Sequence, residues 1–140
     1  MLSPVLFIRG HDHAFVASIQ VLVAEAQITG DLGPLQRALT LVEDKRAEAD
    51  RRGARWLRIK TRVLQSLVHD GLGEPELART SLKQALELGQ PEGYVRVIAD
   101  EGALVAELLQ EIPTDATMRS YVSTLLSAIH RTQLEIDGAV

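Results

Sequence analysis

The stretch from Gln90 to Gly102, QPEGYVRVIADEG, decides the fold prediction for this chain. It directly follows a predicted helical hairpin that resembles an earlier hairpin about forty residues upstream. Helical units of roughly 34 to 47 residues cannot bury their apolar face alone, so they stack on their neighbours. The repeat therefore predicts a scaffold that acts by binding.

The internal repeat becomes visible when the second hairpin is placed on the first. An offset of about 40 positions puts Ala78 on Ala38 and Leu82 on Val42. Two helices approach closely only where the facing side chain is small, so alanine suits the shared position. The pattern predicts antiparallel helix hairpins stacked on one another.

Proline and glycine mark the ends of the predicted helices. The predicted helices run from about Asp12, as a cap, to Thr29, from Pro34 to Gly53, from Ala54 to Asp70, from Glu74 to Leu88, from Val95 to Asp100, from Ala103 to Glu111, and from after Asp115 to about Ile136. No stretch shows the strict alternation of a half-buried strand. We therefore predict an all-α fold in which residues 1–140 form a single domain, with residues 1–11 a candidate for disorder.

The first predicted helix is apolar nearly all round. Such a helix is buried on several sides or rests against a partner outside the chain. The final helix instead has one apolar stripe, formed by Met118, Tyr121, Val122, Leu125, Leu126 and Ile129. We expect the first helix to support self-association and the last helix to pack over the end of the stack.

Composition excludes several classes of function. The net charge of −4 argues against a free-standing nucleic-acid binder. The chain has no cysteine, which rules out disulfides, thiolate metal sites and a cysteine nucleophile and fits a reducing compartment. Its apolar runs are shorter than the roughly 20 residues that a membrane helix needs. We therefore predict a cytoplasmic protein without membrane contact.

The segment ARTSLKQALELGQPEGYVR, from Ala78 to Arg96, together with the following Asp100-Glu101-Gly102, carries a family resemblance. It resembles the end of the helical-repeat sensor region of MalT-like, LuxR-type bacterial transcription regulators, and the resemblance covers Gly33 to Leu109. The resemblance implies a short tetratricopeptide-like superhelix. In such regulators a nucleotide-binding ATPase region precedes the repeats and a helix-turn-helix domain follows them.

Two departures limit what the resemblance implies. The chain has no Gly-Lys-Ser/Thr phosphate loop, and nothing after Met118 resembles a basic DNA-binding domain. We therefore expect the chain to be the repeat segment alone, a non-catalytic module without cofactor that receives a small inducer or a protein partner. The alternative is a free-standing tetratricopeptide-like adaptor that binds a peptide or protein.

A basic surface is the first candidate contact site. The spacing of four, three and four predicts one shared face of the third helix for Arg51, Arg55, Arg58 and Arg62, with Arg52 and Lys60 beside it. This face could receive an anionic ligand or an acidic partner. Alternatively, the acidic residues of the preceding helix pair with it. Trp56 in the same helix is either a ligand-stacking side chain or part of the core between repeats.

A polar cluster after the second hairpin is the other candidate site. It comprises Tyr94, Arg96, Asp100 and Glu101, and Arg96 is spaced to pair with Asp100 across one helical turn. The cluster is either a ligand or interdomain contact or a structural anchor for the irregular segment.

Metal and catalytic sites are not predicted. His11, Asp12 and His13 at the amino end do not define a closed metal site. Ser66 lies three residues from His69, but no third group or oxyanion site accompanies them. We predict no catalytic residue and no bound metal.

Overall fold

A computed structural model describes the backbone of residues 4–138 and the side chains of residues 12–138. The elements are α1 (Pro4–Thr29), α2 (Gly33–Arg52), α3 (Arg55–Gly71), α4 (Pro75–Gly89), a 3₁₀ turn (Gln90–Glu92), α5 (Arg96–Ala99), α6 (Ala103–Glu111) and α7 (Ala116–Gly138). Residues 4–138 contain no strand. The predicted all-α class is confirmed.

Most predicted helix ends lie within two residues of the observed ones, because glycine and proline set them. Gly53 follows α2 in a left-handed conformation, and its amide and that of Ala54 bond to the carbonyls of Asp50 and Ala49. These two bonds satisfy carbonyls that would otherwise lack a partner at the helix end.

The predicted start of α1 is wrong. The helix begins at Pro4, and Asp12 lies inside it rather than capping it. Proline suits a first helical turn, and no further proline interrupts the helix before Thr29. Residues 1–3 and the side chains of residues 4–11 lie outside the described part, so the disorder suggested for residues 1–11 stays a prediction.

The helices pack as hairpins around a central α3, which contacts α1, α2, α4, α5 and α6. Short connections make α2 antiparallel to α1 and α3, so α1 and α3 run in the same direction. In the third, irregular repeat, α5 and α6 together face α7.

Two apolar cores hold the stack together, and α3 contributes to both. Ile59, Val63 and Leu67 face the core shared with α4 to α7, whereas Leu64 and Val68 face the core shared with α1 and α2. Full burial of a branched side chain contributes about 1.5–3 kcal/mol, so this central helix anchors both halves.

The repeat inferred from the sequence is visible in these cores. Ala38 and Ala78 are both fully buried, as are Val42 and Leu82 at the other matched positions. Ala38 lies in the first core and Ala78 in the second. Both matched alanines are thus buried, as close packing of the hairpin helices requires.

The described part of α1 has two apolar faces, of which one is covered. Val16, Ile19, Val23 and Ala26 are buried in the core. The opposite face is exposed and carries Ala14, Ala17, Val21, Ala24 and Ile28. No helix among the described residues combines the length and apolarity needed to cross a membrane.

The apolar stripe predicted for the last helix is confirmed. Tyr121, Val122, Leu125 and Ile129 are buried, and α7 packs on α5 and α6. The helix therefore covers the end of the stack, as its spacing predicted.

Candidate binding groove

The predicted basic face does not lie on one helix. Arg51 belongs to α2, which ends at Arg52, whereas Arg55, Arg58 and Arg62 belong to α3. The chain reverses at Gly53 between the two helices. Regular spacing across this turn therefore does not place residues on a common helix face. The prediction that all four arginines share one face of α3 is wrong.

Asp50 engages much of the basic surface. Arg62 donates from both terminal nitrogens to the two oxygens of Asp50 at 2.9 Å, and Arg58 donates to it at 3.1 Å. Arg46 lies at 3.5 Å. The hydrogen bond from Arg62, aided by Arg58 and opposed by burial, lowers the pKa of Asp50 from 3.8 to about 2. An acid of the preceding helix thus pairs with this surface.

Arg55 and Trp56 connect neighbouring parts of the stack. Arg55 donates to the carbonyl of Leu88 at 3.1 Å and lies 3.9 Å from the carboxylate of Glu92. Trp56 is half-buried and contacts both cores, with its ring centroid 5.2 Å from that of His13. Both residues link one helical level to the next.

The predicted polar cluster is divided between two sides of the chain. Arg96 and Asp100 form an ion pair of 2.8 Å, with more than half of each side chain exposed. Tyr94 instead contacts α7, since its carbonyl accepts a hydrogen bond from the hydroxyl of Tyr121. Burial raises the pKa of Tyr121 to about 12, so this hydroxyl remains a donor. Glu101 faces away from this group.

Glu101 instead connects three parts of the fold. Lys60 of α3 donates to its carboxylate at 2.7 Å, and Gln20 of α1 donates to the same oxygen at 2.9 Å. The side chains of Lys60 and Glu101 are only 4% and 6% exposed. Gly102, with φ 68° and ψ −140°, follows Glu101 in a conformation that is essentially restricted to glycine. This turn directs Glu101 toward α1 and α3.

A groove runs between α1 and α3, with Glu101 at one end. It consists of two adjoining cavities of about 270 Å³ and 80 Å³, which share Val23, Gln27, Leu67 and Leu104. The smaller cavity adjoins Gln20 and Glu101, and the larger one extends to Gly30 and Asp70. The further lining residues are Ala24, Ala26, Leu32, Leu35, Leu64 and Gly71.

Sequence reasoning missed this groove because its walls come from three distant parts of the chain. A signal was nevertheless present for Lys60. It precedes Leu64 by four residues and Leu67 by seven, so it lies on the same buried face of α3. A lysine on an apolar face indicates a buried partner, which is Glu101.

Asp12, Ser66 and His69, which the sequence placed near candidate metal or catalytic groups, have structural partners. Asp12 lies 3.2 Å from Lys45 and 3.5 Å from Arg52, and the side chain of His11 lies outside the described residues. Ser66 donates to the carbonyl of Val63 at 2.6 Å, whereas His69 lies 3.1 Å from Glu74. Among the described residues, no group of three His, Cys, Asp or Glu is placed to hold a metal ion.

Comparison with protein families gives one match, the MalT-like TPR region, which covers residues 9–115. Neither the curated proteins nor the solved structures give a match. The family match extends from α1 through α6 and so includes every helix that lines the groove. The resemblance found between Gly33 and Leu109 is confirmed and extends toward the amino end. The chain belongs to the MalT-like TPR region family.

Proposed function

We propose that this chain is the signal-receiving module of a MalT-like, LuxR-type bacterial transcription regulator, and that the signal binds in the groove between α1 and α3. The groove is the observation that carries the proposal, since ligand sites are concave, mostly apolar and furnished with a few polar groups. Here Val23, Leu67 and Leu104 supply apolar walls, and Gln20 and Glu101 supply polar groups. Family membership supports the regulator context.

The relay follows from the elements that meet at the groove. A ligand there contacts α1, α3 and the start of α6, which belong to three successive repeats. It would favour the arrangement of repeats in which these contacts are made. The shift would pass to the ATPase and DNA-binding regions of the regulator. Such a regulator works in the bacterial cytoplasm, without direct nucleic-acid contact by this module.

Blocking the groove tests this proposal. Gln27 is exposed and lines both cavities, so Gln27→Trp fills the groove without altering the core. We expect small molecules or proteins that the wild-type chain retains from a bacterial extract to be lost from this variant. Glu25→Trp adds the same ring to an exposed position of α1 that does not line the groove. Equal retention by wild type and both variants would count against the groove.

A free-standing adaptor is the second candidate, because the exposed side chains of Leu32 and Leu104 border the groove and offer apolar contacts to a bound peptide. The coding sequence on either side of residues 1 and 140 distinguishes the two functions. A phosphate-loop motif upstream and a helix-turn-helix downstream would support the regulator. Stop signals on both sides would favour the adaptor.

We also propose that the exposed face of α1 binds a second copy of the chain. Val21 and Ile28 on this face are 64% and 85% exposed, although both are branched apolar residues. Burial against another copy would remove this surface from water.

A further inference from the structure

One carboxylate serves three arginines on the surface where α2 and α3 meet. Asp50 lies 2.9 Å from Arg62, 3.1 Å from Arg58 and 3.5 Å from Arg46. Among the described residues, these three arginines form no ion pair with any other acid. Three positive charges against one negative charge leave an excess of two positive charges in this group, which we call the Asp50 cluster.

Neighbouring groups leave this excess in place. The adjacent ion-pair network has two bases and two acids and so carries no net charge; its members are Lys45, Arg52, Asp12 and Glu48. Glu43, one turn before Arg46, is exposed and forms no ion pair with a described residue. The carbonyl end of α2 and the amino end of α3 meet at the turn between them, so their opposite partial charges largely offset each other. The excess therefore comes from the side chains of the Asp50 cluster.

Several nitrogen donors of the Asp50 cluster have no acceptor among the described residues. Arg62 uses both terminal nitrogens to hold Asp50, but Arg58 reaches Asp50 only through Nε and leaves both of its own terminal nitrogens free. The Nε atom of Arg46 is buried and has no described hydrogen-bond partner. A buried donor without an acceptor costs free energy, so an added anion would be stabilised by these donors.

We propose that the Asp50 cluster binds the dianion of a phosphomonoester. Arg46 and Arg58 would donate to the phosphate oxygens, while Asp50 keeps Arg62 and Arg58 in place. The planar guanidinium matches the geometry of phosphate, and its hydrogen bonds to a charged oxygen are among the strong ones. A phosphomonoester carries a charge of about −1.5 to −2 near pH 7, which matches the excess of two positive charges, whereas a carboxylate brings only one negative charge.

The phosphate site is separate from the groove. None of the four residues of the Asp50 cluster lines either cavity between α1 and α3. The inference therefore goes beyond the proposed receiving function, and either one can fail without the other.

Three small probes test the selection for a dianion, namely glycerol phosphate, acetate and glycerol. Each is titrated into the full chain at constant ionic strength, and binding is followed by the NMR signals of the Nε–H groups of Arg46 and Arg58. We expect glycerol phosphate to bind with a dissociation constant on the order of 1 mM, acetate at least about fivefold more weakly, and glycerol not at all. Acetate binding as tightly as glycerol phosphate, or no shift of either signal at millimolar concentration, would overturn the proposal.

A short peptide with one phosphoserine carries the same dianion and identifies the source of the phosphate group. Binding of this peptide more tightly than glycerol phosphate would assign the site to a phosphorylated protein. Equal or weaker binding of the peptide would assign it to a small phosphorylated molecule.

Arg58→Gln tests the position of the site. We expect about fivefold weaker binding of glycerol phosphate, read from the Nε–H signal of Arg46, because two free donors and one charge are removed. Arg37→Gln is the matched control, since Arg37 is an exposed arginine near the start of α2 that forms no ion pair with a described residue. If Arg58→Gln loses helicity by circular dichroism, Arg46→Gln replaces it, with the signal of Arg58 as the readout. A variant of the cluster that weakens binding no more than Arg37→Gln would show a general charge effect and overturn the proposal.

Discussion

The buried ion pair between Lys60 and Glu101 has the least exposed partners among the ion pairs of the described residues. Removing two charges from water is costly, and their attraction repays the cost only with good geometry and additional hydrogen bonds. Gln20 provides such a bond from α1. We therefore expect the pair to specify how three repeats meet more than it adds net stability.

Removal of one partner of the Lys60–Glu101 ion pair should lower the free energy of unfolding far more than removal of both partners. We expect Lys60→Met to lower the free energy of unfolding by about 3 kcal/mol, because Glu101 would remain buried without its partner. The double variant that combines Lys60→Met with Glu101→Leu should lose less free energy of unfolding than Lys60→Met alone. Urea unfolding followed by circular dichroism measures both.

The exposed pair of Arg96 and Asp100 is the control for this experiment. Arg96→Ala should cost less than about 1 kcal/mol, since exposed ion pairs contribute little. A double variant less stable than Lys60→Met would contradict the argument, because the second substitution should relieve an unpaired charge.

Asp50 should make stability depend on pH in the acid range. Its pKa falls from 3.8 to about 2 on folding, so its contribution is full above pH 4 and is lost as the pH falls toward 2. Its side chain is 30% exposed, and we expect about 1 kcal/mol after solvent screening. We expect the free energy of unfolding in urea to differ less between pH 5 and pH 2.5 for Asp50→Asn than for wild type. An identical pH dependence would contradict this prediction.

At the scale of helices, the sequence predicted what proline, glycine and apolar spacing determine locally. The ends of α2, α3 and α4 and the whole of α6 followed from these signals. Arg51 was misplaced because even spacing continued across the turn at Gly53. Glu101 was grouped with Arg96 because its direction depends on the backbone of Gly102, which residue spacing does not encode.

The position of Tyr121 of α7 beside the end of α4 depends on the absence of a side chain at Gly89. A Cβ atom on Gly89 would collide with the hydroxyl of Tyr121, which bonds to the carbonyl of Tyr94. We expect Gly89→Ala to destabilise the chain by about 1–3 kcal/mol through overpacking. Tyr121→Phe removes the obstructing oxygen, so Gly89→Ala should cost less in that background. A double-mutant cycle from urea unfolding measures the difference, and strictly additive costs would contradict the proposed contact.

At the scale of the whole molecule, the groove borders both cores, since Leu64 of the first core and Leu67 of the second also line it. The cores follow from helical periodicity, which one stretch of sequence displays. The groove forms where side chains fail to fill the space between α1, α3 and α6, so it depends on how the helices are placed relative to one another. A single sequence therefore revealed the scaffold but not the site.

The exposed face of α1 predicts self-association. Ala14, Ala17, Val21, Ala24 and Ile28 recur at steps of three and four, the spacing of helices that pack along a common seam. In an antiparallel pair of α1 helices, Val21 would meet its own copy and Ile28 would lie opposite the small Ala14. We expect sedimentation velocity to show a concentration-dependent dimer that Val21→Glu abolishes without loss of thermal stability, because this side chain is already exposed. Leu41→Glu is the control, since Leu41 is a 45% exposed leucine on α2. A chain that stays monomeric at high concentration, or a dimer that both variants weaken equally, would exclude α1 as the interface and leave its apolar face for a different partner.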